Sequence, residues 1–165
     1  MSQSRNMFSK ACEYAIRASV YIAVQSLEGK RVNLQSISAE INSPEAFTAK
    51  ILQTLVKHKI IQSLKGPNGG FSIEADMTSK VFLSNIVSAI DGDSIYKGCG
   101  LGLKECSEKF PCPVHDKFKK IREDLRNMLE RTSLFQLSKE LMKGHTYLIG
   151  QNSVKVRKRY AAAII

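Results

Sequence analysis

The chain has 165 residues, 43% of them hydrophobic, which is enough for one medium domain or for a small domain with an appendage. It has no run of about 18 apolar residues, and its opening stretch MSQSRNMFSKACEYAIRA is too polar for a secretory signal, so we predict a cytoplasmic protein without a membrane partner. The formal net charge of +10 and the isoelectric point near 9.6 favour an acidic partner such as nucleic acid.

Three helices are predicted in the first part of the chain. Apolar side chains recur at helical spacing over residues 8–27, where Ser9 can cap the start and Gly29 can end the helix. The segment VNLQSISAEIN predicts a shorter second helix. A third helix opens with Ser43 as its cap and Pro44 at its first position. The apolar stripe of this third helix is expected to face the core and consists of Phe47, Ile51, Leu52, Leu55 and Val56.

After the third helix the periodicity changes. The segment IIQSLKGPNGGFSIEA predicts a strand, a tight turn and a second strand, because Pro, Asn and two Gly residues supply the turn chemistry. A helix follows over about 79–91, and then a loop from Asp91 to Pro113. A long amphipathic helix is predicted over about 114–131, and a further helix is capped by Ser133, with Gln136 as its capping-box partner. Four glycines mark the loop: Gly92, Gly98, Gly100 and Gly102.

Two short helices followed at once by a hairpin indicate a winged helix-turn-helix. Its second helix can enter a DNA major groove, which is about 12 Å wide, while the hairpin tip reaches the backbone or the minor groove. A winged helix that contacts only protein is the alternative. The candidate DNA-binding residues are those left outside the apolar stripe together with the wing tip: Ser43, Glu45, Ala46, Ala49, Lys50, Gln53, Lys57, Lys65 and Asn68.

Three of the four cysteines fall between residues 99 and 115, in CGLGLKECSEKFPCPVH, which ends in a histidine. Thiolates are soft ligands and imidazole is borderline, so this set suits an iron–sulfur cluster or zinc. The gaps are wider than those of most zinc sites, and a flexible loop with wide gaps favours a cluster that bridges two irons. Zinc and a thiol–disulfide sensor are the alternatives. Cys12 lies on an apolar helix face and is interpreted as a small buried hydrophobe.

The long helix carries an apolar seam with heptad spacing. A second copy of the chain could cover this seam and form a two-fold homodimer, and packing on the protein's own core is the alternative. We predict a mainly α protein with a small β-hairpin: a winged helix-turn-helix domain over 7–91, a cysteine-rich sensor loop over 92–115, a dimerisation helix with a short following helix over 114–143, and a basic tail over 144–165. The seam consists of Phe118, Ile121, Leu125, Met128 and Thr132.

The segment SPEAFTAKILQTLVKHKIIQSLKGPNGGF resembles the DNA-binding segment of the Rrf2 family of bacterial transcription regulators. The wing tip of that family has arginine, Gly-Pro, a variable residue, Gly-Gly and an aromatic residue, and here it reads KGPNGGF. The opening SKACEYAIRA is similar to the family's first helix, with Tyr14 and Ala15 in register. The resemblance covers about residues 7–142 and departs from the family at Lys65, which replaces the arginine and its bidentate contact.

The resemblance implies an iron–sulfur sensor and a dimer that forms through the long helix. Cluster-binding members carry three cysteines at about this spacing, and some add the histidine, although the first gap here has one extra residue. We favour a two-iron cluster over a four-iron one and expect air to remove it easily. Other members use an acidic residue from the partner's first helix, which makes Glu13 the competing fourth ligand. The implied cofactor and metal ligands are Cys99, Cys106, Cys112 and His115.

We therefore interpret the chain as a homodimeric repressor of a double-stranded DNA operator that senses iron–sulfur status, redox state or nitric oxide. Cluster loss or oxidation would free the loop and change the angle between the two DNA-binding halves. A regulator that uses thiols or zinc without a cluster is the alternative. An enzyme is not expected, because the sequence has no paired carboxylates, phosphate-binding loop or triad-like set.

Overall fold

A computed structural model describes residues 7–99, 101–104, 106–144 and 146–148. The described part is mainly helical with one small antiparallel hairpin, which confirms the predicted fold class. The predicted basic tail lies outside the described residues, apart from Gly144 and residues 146–148. The elements are α1 (Lys10–Leu27), α2 (Leu34–Glu40), α3 (Glu45–Lys57), β1 (Gln62–Leu64), β2 (Gly70–Ser72), α4 (Ala75–Thr78), α5 (Leu83–Ile90), the 3-10 helix η1 (Ser94–Tyr96), α6 (His115–Arg131) and α7 (Leu134–Met142).

Helix α1 is the centre of the core. Ser9 caps it as predicted, because its hydroxyl accepts a hydrogen bond from the backbone N–H of Cys12 at 3.1 Å. The buried face of α1 includes Ala15, Ala18 and Ile22, all without exposed surface, and small residues let neighbouring helices approach closely. Helices α7, α5 and α3 all pack against α1, so elements from both ends of the described chain share one core.

Helices α2 and α3 form the helix-turn-helix, with two corrections to the expected third helix. Its N-cap is Pro44, and the Ser43 hydroxyl accepts a hydrogen bond from the Thr48 hydroxyl at 3.0 Å instead of capping the backbone. Thr48 is fully buried, whereas Phe47 is 37% exposed and packs edge-on against Tyr14 with ring centroids 5.8 Å apart. At the first turn of α3, the side chain buried in the core is therefore Thr48 and not the predicted Phe47.

The hairpin pairs β1 with β2 in antiparallel register, with Leu64 opposite Gly70. Val32 forms an isolated β-bridge to the other edge of β2, because it exchanges two backbone hydrogen bonds with Phe71, at 3.0 and 2.8 Å. Gly70 has a φ of +133°, and a Cβ on it would lie 2.8 Å from the Val32 carbonyl oxygen, so this position requires glycine. The close approach fixes the wing to the start of α2.

The helix predicted over about 79–91 is shorter, beginning at Leu83 after a separate turn of helix, α4. The predicted Ser133–Gln136 capping box at the start of α7 is confirmed. Leu129, at the end of α6, and Leu134 are fully buried in the same core as α1. Across the described residues, no helix is both long and apolar enough to cross a membrane.

Candidate DNA interface and cysteine loop

The first candidate site is the outer face of α3. Glu45, Ala46, Lys50, Gln53 and Lys57 are exposed, as predicted from the apolar stripe. An exposed polar face of this kind leaves side chains able to reach base edges and phosphates. Of the other candidates on this segment, two are half-buried: Ser43 and Ala49.

The wing tip is the second part of this surface. Lys65 and Asn68 are both exposed, and the turn is closed by a hydrogen bond from the Gly69 N–H to the Gly66 carbonyl oxygen at 2.9 Å. A Cβ at Gly69 would lie only 2.3 Å from the Leu64 carbonyl oxygen, so the turn excludes any larger residue. The tip therefore holds Lys65 and Asn68 at the end of a compact turn.

The cysteine loop, defined as residues 91–114, places Cys106 against α6. The Cys106 Sγ lies 3.4 Å from Nδ1 of His115, the first residue of α6, and the imidazole is buried. Arg122 donates one hydrogen bond to the Cys106 Sγ at 3.3 Å and another to the Gly98 carbonyl oxygen at 3.0 Å. One guanidinium thus ties two separate points of the loop to the helix.

Arg122 was not among the predicted site residues. It lies seven residues after His115, so the two share a face of α6, and that spacing is the signal that could have found it. The sequence offers several other cations on the same helix, and only the hydrogen bond to the Cys106 Sγ singles this one out. Arg122 therefore joins Cys106 and His115 in the candidate site.

Cys99 and Cys112 form a second group within the loop. Hydrogen bonds from the backbone N–H groups of Leu101 and Leu103, and a further one from the Cys112 side chain, lower the pKa of the Cys99 thiol. Both sulfurs belong to free thiols, as do the other two cysteines of the chain. The lowered pKa favours the thiolate, which is the form that binds metals and reacts with oxidants.

The four predicted ligands are therefore brought together as two pairs rather than as one set. Within residues 7–99, 101–104, 106–144 and 146–148, no three His, Cys, Asp or Glu side chains are placed to hold a metal ion. The donor chemistry of three thiols and an imidazole suits an iron–sulfur cluster or zinc. Their arrangement in this conformation does not, because the two pairs would have to meet around one centre.

Glu13, the competing ligand, lies on α1, where its carboxylate accepts a hydrogen bond from Lys10 Nζ at 3.0 Å. Its neighbour Cys12 is fully buried, as predicted for a small hydrophobe. Burial, and then the nearby Asp91 carboxylate, raise the pKa of Cys12 to about 12. Asp91 also accepts hydrogen bonds from the backbone N–H and the hydroxyl of Ser9, so the end of α5 is fastened to the start of α1.

A cleft of about 380 Å³ lies between the cysteine loop and α6. Lys97, Arg122 and Arg126 line it, and the Arg126 guanidinium stacks over the Tyr96 ring, 5.0 Å from its centroid. Lys119, on the same wall, pairs with Glu108 at 2.6 Å, and this contact lowers the pKa of the Glu108 carboxyl. Cys106 and His115 also line this cleft.

The apolar seam of α6 is largely uncovered in the single chain. Ile121 is 59% exposed and Met128 is 46% exposed, whereas Phe118 and Leu125 are half-buried. Leu129, outside the predicted seam, is fully buried in the core, and the seam residue Leu125 packs against the core while partly buried. The seam therefore remains a candidate surface for a second copy.

Comparison with known proteins identifies related chains. The family Rrf2, described as an iron-dependent transcriptional regulator, matches residues 8–140. An HTH-type transcriptional regulator of Aquifex aeolicus is 29% identical over 133 residues, which cover 79% of this chain and 90% of that protein. The regulator IscR of Xenorhabdus nematophila is 27% identical over 126 residues, covering 76% of this chain and 75% of the relative.

Solved structures share the fold at lower identity. CymR, the global cysteine regulator of B. subtilis, superposes with a TM-score of 0.66 at 18% identity, covering 81% of this chain and 96% of that one. IscR of T. potens gives a TM-score of 0.63 at 20% identity, covering 87% of this chain and 91% of that one. Both neighbours support the winged-helix fold seen here.

Proposed function

The chain belongs to the Rrf2 family of transcriptional regulators, and we propose that it is a homodimeric DNA-binding repressor controlled through its cysteine loop. The observation that carries the proposal is the combination of an exposed polar face on α3 with a glycine-built wing beside it. The net charge of +10 suits a polyanionic partner. In this proposal α3 enters the major groove of the operator, and the wing tip reaches the neighbouring backbone.

The base contacts are assigned to the first turns of α3. Glu45 can accept a hydrogen bond from a cytosine amino group, Gln53 can pair with adenine, and Lys50 can donate to a guanine edge. Lys57, Lys65 and Asn68 are placed for the backbone or the neighbouring groove. Two copies of α3, one from each subunit, would address half-sites about one helical turn apart.

A homodimer is proposed through the seam of α6. Ile121 and Met128 are large apolar side chains with about half of their surface exposed. Covering them with the same seam of a second copy would remove that surface from water, which is favourable at about 25 cal/mol per Å². The interface would join the two winged halves through the helix that also holds the cysteine loop.

The cysteine loop is proposed as the sensor. An iron–sulfur cluster, with two irons favoured over four, would be held by Cys99, Cys106, Cys112 and His115. Glu13 of a partner subunit is the competing fourth ligand. When bound, the cluster would supply a centre sensitive to redox state or nitric oxide. Arg122 holds Cys106 and Gly98 in the conformation described here. In this proposal the contacts of Arg122 with Cys106 and Gly98 change when the two donor pairs come together.

The route from the loop to the DNA-binding half runs through Asp91. This residue ends α5, begins the loop and accepts hydrogen bonds from Ser9 at the start of α1. Helix α1 in turn packs against α3. A change in the loop can therefore shift the winged half, provided that the sensed species binds one arrangement better than the other.

DNA binding is tested with Lys50→Ala against Lys120→Ala, which removes another exposed lysine, from α6. An operator selected from a random duplex pool serves as the probe in fluorescence anisotropy. We expect Lys50→Ala to weaken operator binding by about 1–3 kcal/mol if the lysine reads a base edge, and Lys120→Ala to bind as the wild type does. Failure of the unaltered protein to select any duplex would refute the proposed function.

The cluster is tested by anaerobic purification of the wild type and of Cys106→Ala. We expect the wild type to show iron, acid-labile sulfide and visible absorption, and the variant to lose most of all three. Operator affinity of the loaded and stripped wild type is then compared at one salt concentration. Identical affinity of the two forms would remove the sensing role even if the cluster is present.

A second candidate is a thiol regulator without a cluster, favoured by the Cys112 side chain, which helps to lower the pKa of the Cys99 thiol. Here the two thiols would form a disulfide, giving two electrons and two protons to a hydroperoxide that is reduced to an alcohol and water. Peptide mapping after hydroperoxide treatment tests it: a Cys99–Cys112 disulfide in a metal-free protein supports this candidate. Stoichiometric zinc in the purified protein would instead support a zinc-binding regulator.

A further inference from the structure

Arg31 lies at the root of the wing and had no role in the expected DNA interface. It directly precedes Val32, whose two backbone hydrogen bonds with Phe71 make it the edge of the wing sheet. The Arg31 side chain crosses to β2 and donates from Nη1 to the Ser72 hydroxyl at 2.8 Å. An exposed arginine therefore has a hydrogen-bonded position on the wing.

Within the described residues, no acidic side chain pairs with the positive charge of Arg31. Its neighbour Lys30 pairs with Glu28 at 2.7 Å, but across the described ranges no ion pair includes Arg31. A guanidinium has five N–H donors, and the hydrogen bond to Ser72 takes one of them. The remaining donors form a planar fork that matches the oxygens of a phosphate.

The wing tip itself offers a different kind of cation. Residues 65–70 contain one charged side chain, Lys65, which is a point charge on a flexible stem. Holding an arginine in place before binding reduces the side-chain entropy lost on binding. Arg31 is thus better prepared than Lys65 for a fixed contact with the DNA backbone.

We propose that Arg31, positioned by Ser72, contacts a backbone phosphate of the DNA beside the wing. Its place beside Ser72, at the end of the hairpin away from the tip and on the far side of β2 from β1, suits the backbone rather than a base edge. The contact would fix the orientation of the wing on the duplex and would be independent of base sequence. This inference rests on the proposed DNA-binding function.

The experiment measures how binding depends on salt. The wild type and Arg31→Gln are titrated by fluorescence anisotropy against two labelled duplexes of unrelated sequence, each about 30 base pairs long, between about 50 and 200 mM KCl. We expect Arg31→Gln to weaken binding several-fold on both duplexes and to reduce the slope of log K against log salt by about 0.9 for each chain bound. Melting temperatures of the free proteins confirm that both are folded.

Three further variants test whether the effect on DNA binding is specific to Arg31 and to its contact with Ser72. Arg131→Gln removes an arginine from α6, an element that packs against α5 and η1, and should leave the slope unchanged. Arg31→Lys should keep most of the slope and lose part of the affinity, because the charge remains and the fork is lost. Ser72→Ala should weaken binding less than Arg31→Gln, and should have no effect once Arg31 is Gln.

The possible results separate this inference from the proposed function. A slope for Arg31→Gln equal to that of Arg131→Gln overturns the phosphate contact while leaving the DNA-binding proposal in place. A loss confined to one of the two duplexes also overturns it, since that result indicates a base contact. If the wild type binds neither duplex and selects no operator, the proposed function and this inference both fail.

Discussion

Cys12 and Cys99 are the same side chain in two opposite surroundings. Cys12 is fully buried in α1, where burial and the Asp91 carboxylate raise its pKa to about 12. Cys99 is half-buried in the cysteine loop, where the backbone N–H groups of Leu101 and Leu103 lower its pKa. The comparison shows that position in the fold, and not the residue type, decides which thiol can take part in chemistry.

The same contrast holds for the two regions as a whole. In the winged half, Ile37, Leu52 and Leu55 have no exposed surface, whereas Leu103 and Phe110 of the loop are 54% and 85% exposed. Since buried apolar surface supplies most of the stability, the loop can change conformation at little cost to the fold. The winged half therefore contributes more buried apolar surface to the fold than the loop does.

The largest expected difference between the two regions is in alkylation. At a pH near 9.0, the ordinary thiol pKa, a pKa of about 12 leaves Cys12 with a thiolate fraction about 500-fold smaller than that of an unperturbed cysteine. Iodoacetamide should therefore label Cys99 rapidly and Cys12 only after unfolding, as followed by peptide mass spectrometry. Equal labelling rates of the two cysteines in the native protein would contradict the contrast.

Next in size is the effect of truncating a leucine in each region. Leu52→Ala should lower the free energy of unfolding by about 2–5 kcal/mol, because it leaves a cavity in the core. Leu103→Ala removes the same atoms from an exposed side chain and should change the free energy of unfolding by less than about 0.5 kcal/mol. Urea unfolding at a fixed protein concentration measures both, and a similar loss for the two variants would mean that the loop belongs to the core.

A smaller effect is expected from adding one methyl group to a glycine. In Gly69→Ala the new Cβ would lie 2.3 Å from the Leu64 carbonyl oxygen, so the wing turn must shift at a cost of about 1–3 kcal/mol. The control is Gly98→Ala in the loop, where the nearest atom is the Ser94 carbonyl oxygen at 3.8 Å. The free energy of unfolding and the affinity for DNA are measured for both variants. We expect Gly69→Ala to weaken DNA binding and Gly98→Ala to leave it unchanged.

The smallest expected effect concerns backbone strain after α3. Lys59 has a φ of +58°, a conformation that favours glycine. Lys59→Gly should raise the free energy of unfolding by about 0.5–1 kcal/mol, since relief of strain exceeds the entropy cost of glycine. Lys57→Gly, two residues earlier and at the last position of α3, should lower the free energy of unfolding by up to about 0.5–1 kcal/mol. Thermal unfolding of the two variants should therefore give changes of opposite sign.

Local features of the winged half could be predicted from the sequence. Helical spacing, the caps Ser9 and Ser133 and the turn chemistry of KGPNGG each depend on residues close together in the chain, and the structure confirms them. Three thiols and an imidazole near one another were also evident, because they lie within one short segment. These interactions are local, so a single sequence contains the information needed to recognise them.

Contacts between distant parts of the chain were decided only by the tertiary structure. The contact of Arg122 with Cys106 and with the Gly98 carbonyl oxygen depends on how α6 packs beside the loop. The burial of Thr48 in place of Phe47, and the edge that Val32 adds to the wing, likewise depend on which elements pack together. Spacing along the chain limits which residues can meet, but the packing of the whole core determines which of them do.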